Sequence, residues 1–403
     1  MLINWFLNDS FFNRGVWLIR RSEKKRLLVM LGSAHSLNHS LFVIAPPLLT
    51  IIMRDLGVSN FVIGTVGTIA SFIYGAGSLL GGPLGDKIGE AKTIALFLAF
   101  SGISTFLMFF ASNIATYALA LVLIAVWASL YHPTANSLLS KTFRKGTAEA
   151  MGLHGVGGTL GVMLTPTIAW FIGSYLGWQF AFILFGTLCI ILAVSFVKSM
   201  EKPENKKGSN IKLLEVFKIP ELWIILIFNI TIGLFMKGVE YFFPTYLTEA
   251  KGIDPIWASI ALTLVLASGV PAQWFGGRTA DLFGSKKVLI ATSLGVVISL
   301  LTLQFLPISL LGVALFIALY GISFYAHQPA LNSLTGLLSP ENMRGTVYGM
   351  FFFTSFGIGS ISQSIAGYCA DNYGLESAFY LLTIFALAAL VISLMLPKKR
   401  LVK

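Results

Sequence analysis

Charge is what this sequence has least of. Asp, Glu, Lys and Arg make up 11% of its 403 residues and hydrophobic residues 56%, where a soluble domain carries roughly 25% and 45–50%. Too little polar surface remains to cover a water-exposed globule of this length, so lipid is the expected solvent. Cysteine is nearly absent: Cys189 and Cys369 both fall in apolar runs, which suggests neither a disulfide framework nor a thiolate metal site. A phosphate-cradling Gly-rich Lys loop, a nucleophile elbow and any regular metal-ligand spacing are also missing. The expectation is therefore no ATP, no cofactor, no metal and no enzymatic centre. Residues 1–20 hold Trp5, Phe6, Phe11, Phe12 and Trp17 but no continuous apolar core or small-residue cleavage site. They read as part of a cytoplasmic leader (1–26) and not as a signal peptide.

What is present is one apolar run after another. A spanning helix needs about 20 mostly apolar residues. On that criterion helices are predicted over 27–51, 61–81, 92–111, 115–138, 147–171, 178–198, 221–248, 256–276, 287–306, 310–336, 346–368 and 377–396. The formal net charge of +11 does not describe a nucleic-acid face, because of where the charge sits. Of 28 Lys and Arg, 25 lie within 14–26, 87–92, 141–145, 198–218, 278–287, at Arg344 or within 398–403. These segments alternate with loops nearly free of Lys and Arg, such as 112–114 and 173–177. That is the positive-inside pattern, and an even number of helices with both termini in the cytoplasm of a cell-membrane protein satisfies it.

The polar stretch 199–220 divides the chain into two equal parts, 27–198 and 221–396, with a cytoplasmic tail at 397–403. The parts repeat. GGPLGDKIGEAK (81–92) matches GGRTADLFGSKK (276–287), with Asp86 and Asp281 195 residues apart, and HPTANSLL (132–139) matches QPALNSLT (328–335) at an offset of 196. Two unrelated features agreeing on one offset indicate a duplication. Parallel repeats of this size are a transporter architecture, with the substrate site at their interface. The expected fold is an all-α membrane protein of twelve transmembrane helices in two six-helix bundles related by an internal repeat.

Gly82, Asp86, Lys87 and Gly89, with the copy Gly277, Asp281 and Gly284, resemble the signature loops of the major facilitator superfamily. The resemblance covers essentially the whole chain and implies a secondary transporter working by alternating access. It also implies that these loops gate one side, the Asp resting against a neighbouring helix N-terminus, where backbone N–H groups favour an anion. The first copy departs from the pattern in carrying Glu90 where a basic residue is common, so its latch is expected to be weakened or paired differently. Gly152, Gly155, Gly157, Gly158 and Gly161 make the fifth helix rich in glycine, which resembles exporters of the superfamily; close helix packing alone also accounts for it.

Titratable groups at membrane depth are the candidates for function. All five histidines, His35, His39, His132, His154 and His327, lie inside predicted helices. His35 and His39 are four apart and project from one face. Each histidine serves either packing or proton handling, and at least one functional member is expected. Lys237 and Glu240, three apart in the seventh helix, can pair; the alternatives are a carboxylate whose ion pair breaks during a cycle and a Lys that snorkels to the interface.

Ala34-His35-Ser36-Leu37-Asn38 followed by Pro46-Pro47, and Tyr131-His132-Pro133, look like segments of fosmidomycin-resistance-type exporters. Carried over, His35, Asn38 and His132 line a central cavity. Two acidic positions of that group are His39 and Thr134 here, so this chain is expected to couple differently, through His39 or Glu240. The reading is proton-coupled efflux of a small organic solute, with protons and the bilayer as partners and no nucleic acid; the oligomeric state stays open, a monomer among the options. An importer of the same fold, or a transporter-like receptor that binds without transport, stays open.

Overall fold

Backbone N–H and C=O groups cannot be left open in hydrocarbon, and the chain answers by being helical almost throughout. In a computed structural model the described residues are 21–143, 147–197, 218–306, 310–339 and 344–397. The leader up to residue 20, most of the predicted linker and the tail from 398 lie outside them. Among the described residues eleven helices are long and apolar enough to cross a membrane. They are α1 (Glu23–Leu56), α2 (Asn60–Ile88), α3 (Glu90–Phe110), α4 (Ile114–Thr142), α5 (Ala150–Leu176), α6 (Trp178–Val197), α7 (Pro220–Ala250), α8 (Pro255–Phe283), α9 (Ser285–Phe305) and α10 (Leu311–Leu338), with α12 (Leu375–Met395) closing the chain. The remaining predicted span, α11 (344–373), is helical but broken: a π-turn over Phe353–Gly357 and a 3-10 turn over Ile358–Ser360 interrupt it.

Helices α2 and α8 run seven residues further than predicted, because hydropathy ends a span where charge begins while the helix itself continues. Gly82, Asp86 and Lys87 are therefore the last turns of α2, and Gly277 and Asp281 the last turns of α8. Expected as loops, they are helical. Only Gly89 and Gly284 make the turns, with φ of 94° and 89°, a region side chains with a Cβ avoid. Gly177 and Gly374 do the same after α5 and α11, at φ of 106° and 85°, so the repeat extends to its turn chemistry.

Within the first half α1 packs on α5, and α3 on α4 and α6; in the second, α7 packs on α12 and α10 on α8 and α9. The halves meet through α2 against α11 and α5 against α8. Lipid offers no hydrophobic drive between helices, so small residues and hydrogen bonds carry that contact. A Cβ on Gly64 would lie 2.3 Å from the Gln363 carbonyl oxygen, and one on Gly75 would lie 2.6 Å from the Gly357 nitrogen. The two backbones touch.

At the end where α2 begins, the Asp371 carboxylate of α11 accepts the backbone N–H groups of Asn60 (3.0 Å) and Phe61 (2.7 Å) and the Asn60 side-chain amide (3.0 Å). It caps a helix of the other half, satisfying donors that no helix satisfies for itself. About two turns deeper, the Thr68 hydroxyl donates to the Ser360 carbonyl at 2.7 Å, and Thr167 of α5 meets Thr263 of α8 at 2.8 Å. Toward the opposite end, that of Gly89 and Gly284, a Cβ on Gly152 or Gly155 of α5 would meet nothing within 4 Å. The molecule is clasped at one end, and α5 faces open space toward the other.

Two outcomes follow. Gly276→Val, whose Cβ would lie 2.2 Å from the Ala326 carbonyl oxygen, is expected to lose about 1–3 kcal/mol and to melt several degrees lower in a detergent thermal scan, whereas Gly155→Ala melts as wild type. Asp371→Asn removes a charge-assisted cap worth about 1 kcal/mol, or roughly a fivefold change in population. In a cysteine-free background spin-labelled at Ser112→Cys and Trp257→Cys, the distance distribution between labels should broaden toward longer values. An unchanged distribution would show that Asp371 does not hold this end shut.

Candidate functional site

The signature residues come together differently from the expected pattern. Lys141, near the end of α4, bridges Asp86 at 3.2 Å and also pairs with Glu90, which accepts a hydrogen bond from Ser137 at 3.0 Å. Among the described residues Asp86 thus meets a lysine side chain and no helix N-terminus, with the acidic Glu90 holding Lys141 at this corner. The contact ties α2, α3 and α4 within one half. Asp281 is exposed and forms no ion pair among the described residues. The capping of a helix by a foreign carboxylate, expected at Asp86, is found at Asp371.

Four of the five histidines converge. Helix α5 can approach α1 only because it lacks side chains there: a Cβ on Gly157 would lie 3.0 Å from the Gly32 Cα, one on Gly158 2.3 Å from His35 Nδ1, and one on Gly161 1.5 Å from Ser36 Oγ. His35 therefore lies flat on α5 and stacks on His154 with ring centroids 4.2 Å apart at 5°. Its Nδ1 is 3.1 Å from the His154 carbonyl oxygen. A carbonyl only accepts, so Nδ1 carries the proton and Nε2 presents its lone pair. His39 Nε2 lies 3.0 Å from that Nε2 and must be the donor. The Tyr131 hydroxyl donates to the Leu31 carbonyl at 2.6 Å and meets His154 Nε2 at 2.7 Å; its one proton is committed, so His154 donates to it. Partners assign each tautomer. Both branches end on main-chain carbonyls, so the array orients the rings and offers no continuous proton wire.

His132 completes the cluster from α4. Its ring stands 5.1 Å from that of His35 and 5.0 Å from that of His39, and it stacks on Phe352 of α11 at 4.9 Å. Its Nε2 is buried and has no hydrogen-bond partner. Asn38 is fully buried and committed at both ends, donating to the Ala128 carbonyl at 2.8 Å and accepting from the Tyr74 hydroxyl at 2.7 Å; it positions Tyr74 and does not face open space. His327 is elsewhere: it bonds the Phe324 carbonyl of its own helix and packs on that ring.

Lys237 does not snorkel. Its side chain is 7% exposed, and Nζ donates to Glu240 Oε2 at 2.8 Å while standing 4.4 Å from the Phe356 ring centroid, a cation–π distance. Lys237 and Glu240 line a small pocket with Phe42 and Pro46 of α1, Ser71 of α2, Leu121 of α4 and Gln363 of α11. The pocket is built from both halves. Tyr74 links the two polar regions, its ring 6.3 Å from His132 and 5.7 Å from Phe356. Tyr74, Gln363 and Asp371 carry no sequence signal of a site. Tyr131 does, as the neighbour of His132 in its motif.

The model of the Major Facilitator Superfamily matches residues 31–364. The chain is 24% identical over 369 residues to the sialic acid transporter NanX of Escherichia coli, covering 86% of this chain and 87% of that one. It is 23% identical over 351 residues to the fosmidomycin resistance protein of the same organism, covering 83% and 84%. Among solved structures it resembles an inward-facing bacterial homolog of the human lysosomal transporter Spinster (TM-score 0.77, 16% identity, 94% and 98% covered). It also resembles the nucleoside transporter NupG (TM-score 0.78, 15% identity, 92% and 99% covered). Eleven membrane-length helices and the broken α11 among the described residues, in two repeated halves with a polar pocket between them, and a family match across most of the chain lead to one conclusion: this chain belongs to the major facilitator superfamily.

Proposed function

We propose that the protein exports a small organic solute across the cell membrane in exchange for protons, the two bundles rocking about the pocket between them. The observation that carries this reading is the Lys237–Glu240 pair, its ammonium buried and its carboxylate half-buried in a pocket to which both halves contribute. A buried pair is stable as a pair; removing one charge leaves the other uncompensated. Protonating Glu240 does that to Lys237, so a proton and a solute compete for, or share, one electrostatic site. The dead-ended histidine array supports Glu240 over His35 as the proton acceptor. The positive-inside pattern supports a cytoplasmic location for the Gly89 and Gly284 turns, and with it an inward-facing state here. The glycines of α5 support export less than the sequence suggests, since Gly157, Gly158 and Gly161 serve the packing on α1.

A second reading, uptake of an organic anion together with a proton, is favoured by Lys237 itself. Once Glu240 is neutral, the ammonium is free to hold a carboxylate or phosphate. Relatives named for sialic acid, galactonate and glycerol 3-phosphate transport make such acids the first panel to try.

Purified protein in liposomes, given that panel under an imposed pH gradient, separates the readings. Exchange predicts solute and proton moving in opposite directions, and uptake predicts the same direction. In either case Glu240→Gln is expected to cut gradient-driven accumulation at least tenfold while solute exchange without a gradient persists. Gradient-driven transport at the wild-type rate in Glu240→Gln would remove Glu240 from the coupling. A solute that binds should also raise the melting point, by about 2.7 kcal/mol of stability at a hundred times its Kd.

A further inference from the structure

We propose that His35, His39 and His132 form a three-histidine binding site for a divalent transition-metal ion, which leaves a fourth position of the ion open. No regular spacing announces it, since the ligands come from two helices 90 residues and more apart. The geometry does. The three ring centroids are separated by 4.8, 5.0 and 5.1 Å, nearly an equilateral triangle, and the ring planes are inclined at 51°, 56° and 90°. Rings that only fill space stack, as His35 does on His154. Rings that point at a common centre splay. A tetrahedral ion with Zn–N bonds of about 2.0–2.1 Å holds ligand nitrogens roughly 3.3 Å apart and the centroids of rings pointing at it roughly 5.2 Å apart.

The nitrogens agree with the rings. One candidate ligand atom from each histidine lies within 4.8 Å of the other two, and His35 Nε2 and His39 Nε2 are already 3.0 Å apart. His35 donates Nδ1–H to the His154 carbonyl, the outer hydrogen bond that metal-bound histidines characteristically make, and it leaves Nε2 as the ligand. His132 Nε2 is the orphan: buried, and without a partner. A buried polar atom left open requires an explanation, and an ion at the centre of the triangle supplies one. For His39 the change is a shift of its proton from Nε2 to Nδ1, with no net proton gained or lost.

Ligand type narrows the ion. Three imidazoles without thiolate or carboxylate suit Zn, Ni, Co or Cu and not Mg or Ca. Three neutral ligands leave the ion's full charge in place, so the open position favours an anion, from solvent or from the transported solute. His35 and His39 are only partly buried, which gives the ion a way in. Binding does not depend on the transport reading.

The test is Co²⁺ titrated into tag-free protein in detergent and followed by visible absorption. One equivalent should give the intense d–d bands of a four-coordinate nitrogen site, displaced by Zn²⁺. His35→Gln, His39→Gln and His132→Gln should each weaken binding by at least about 100-fold, since losing even an outer partner costs roughly 10–100-fold. His154→Gln should keep the bands, its contribution being a main-chain carbonyl. Thermal melting of each variant reports its fold, and the wild-type spectrum stands without any variant. No four-coordinate bands in wild type, or bands that persist in the triple Gln variant, would overturn the proposal.

Discussion

The approach of α5 to α1 governs the arrangement of the histidines in the first half. Two helices carrying ordinary side chains stand 8–10 Å apart. Here Gly157 faces Gly32, and the missing Cβ atoms of Gly158 and Gly161 admit His35 and Ser36. That contact lays the His35 ring flat, which fixes its tautomer through the His154 carbonyl, and the tautomer in turn dictates what His39 does. Tyr131 closes the arrangement from α4 by holding His154 and the backbone of α1 together. A run of glycine that reads as a signature for a direction of transport is, at two of its positions, the seat of a histidine and a serine.

The second half is organised around charge. Lys237 and Glu240 sit on one face of α7 where α7 meets both halves, and Phe356 of α11 covers the ammonium. This asymmetry overlies a symmetric scaffold in which even the turn glycines repeat. His327, which the offset of 196 pairs with Tyr131 while His132 is paired with Gln328, turns back on its own helix. Duplication conserved the frame and let the two interiors diverge.

Hydropathy made the frame legible because lipid imposes a length on every span, and the repeat was legible because two motifs share an offset. The titratable residues were also visible as anomalies in apolar runs. Their grouping was not, since His35, His39, His132 and His154 come from three helices whose rotation is set by glycine contacts that no periodicity reports. The helical state of Asp86 and Asp281 was hidden for a related reason: hydropathy senses the bilayer, whereas helices protrude beyond it. Asp371 lies just beyond the predicted span 346–368, where nothing in the sequence marks it. Only the tertiary fold shows that the backbone it meets belongs to the other half.

The break in α11 deserves a mechanical description. A π-turn underwinds a helix and a 3-10 turn overwinds it; over Phe353–Gly357 and Ile358–Ser360 the two stand back to back. Their twists largely cancel. Phe352, against His132, and the Thr68-bonded Ser360 and Ser364 can therefore face the first half together across a stretch whose hydrogen-bond ladder has changed register twice. Such a seam behaves as a torsional coupling in a shaft. One end stays keyed to α2 by Asp371, while residues can pass between the two turn types at the cost of a few local hydrogen bonds. The clasped end and the ring against His132 are thus joined through a seam of altered pitch and not through one continuous α-helix.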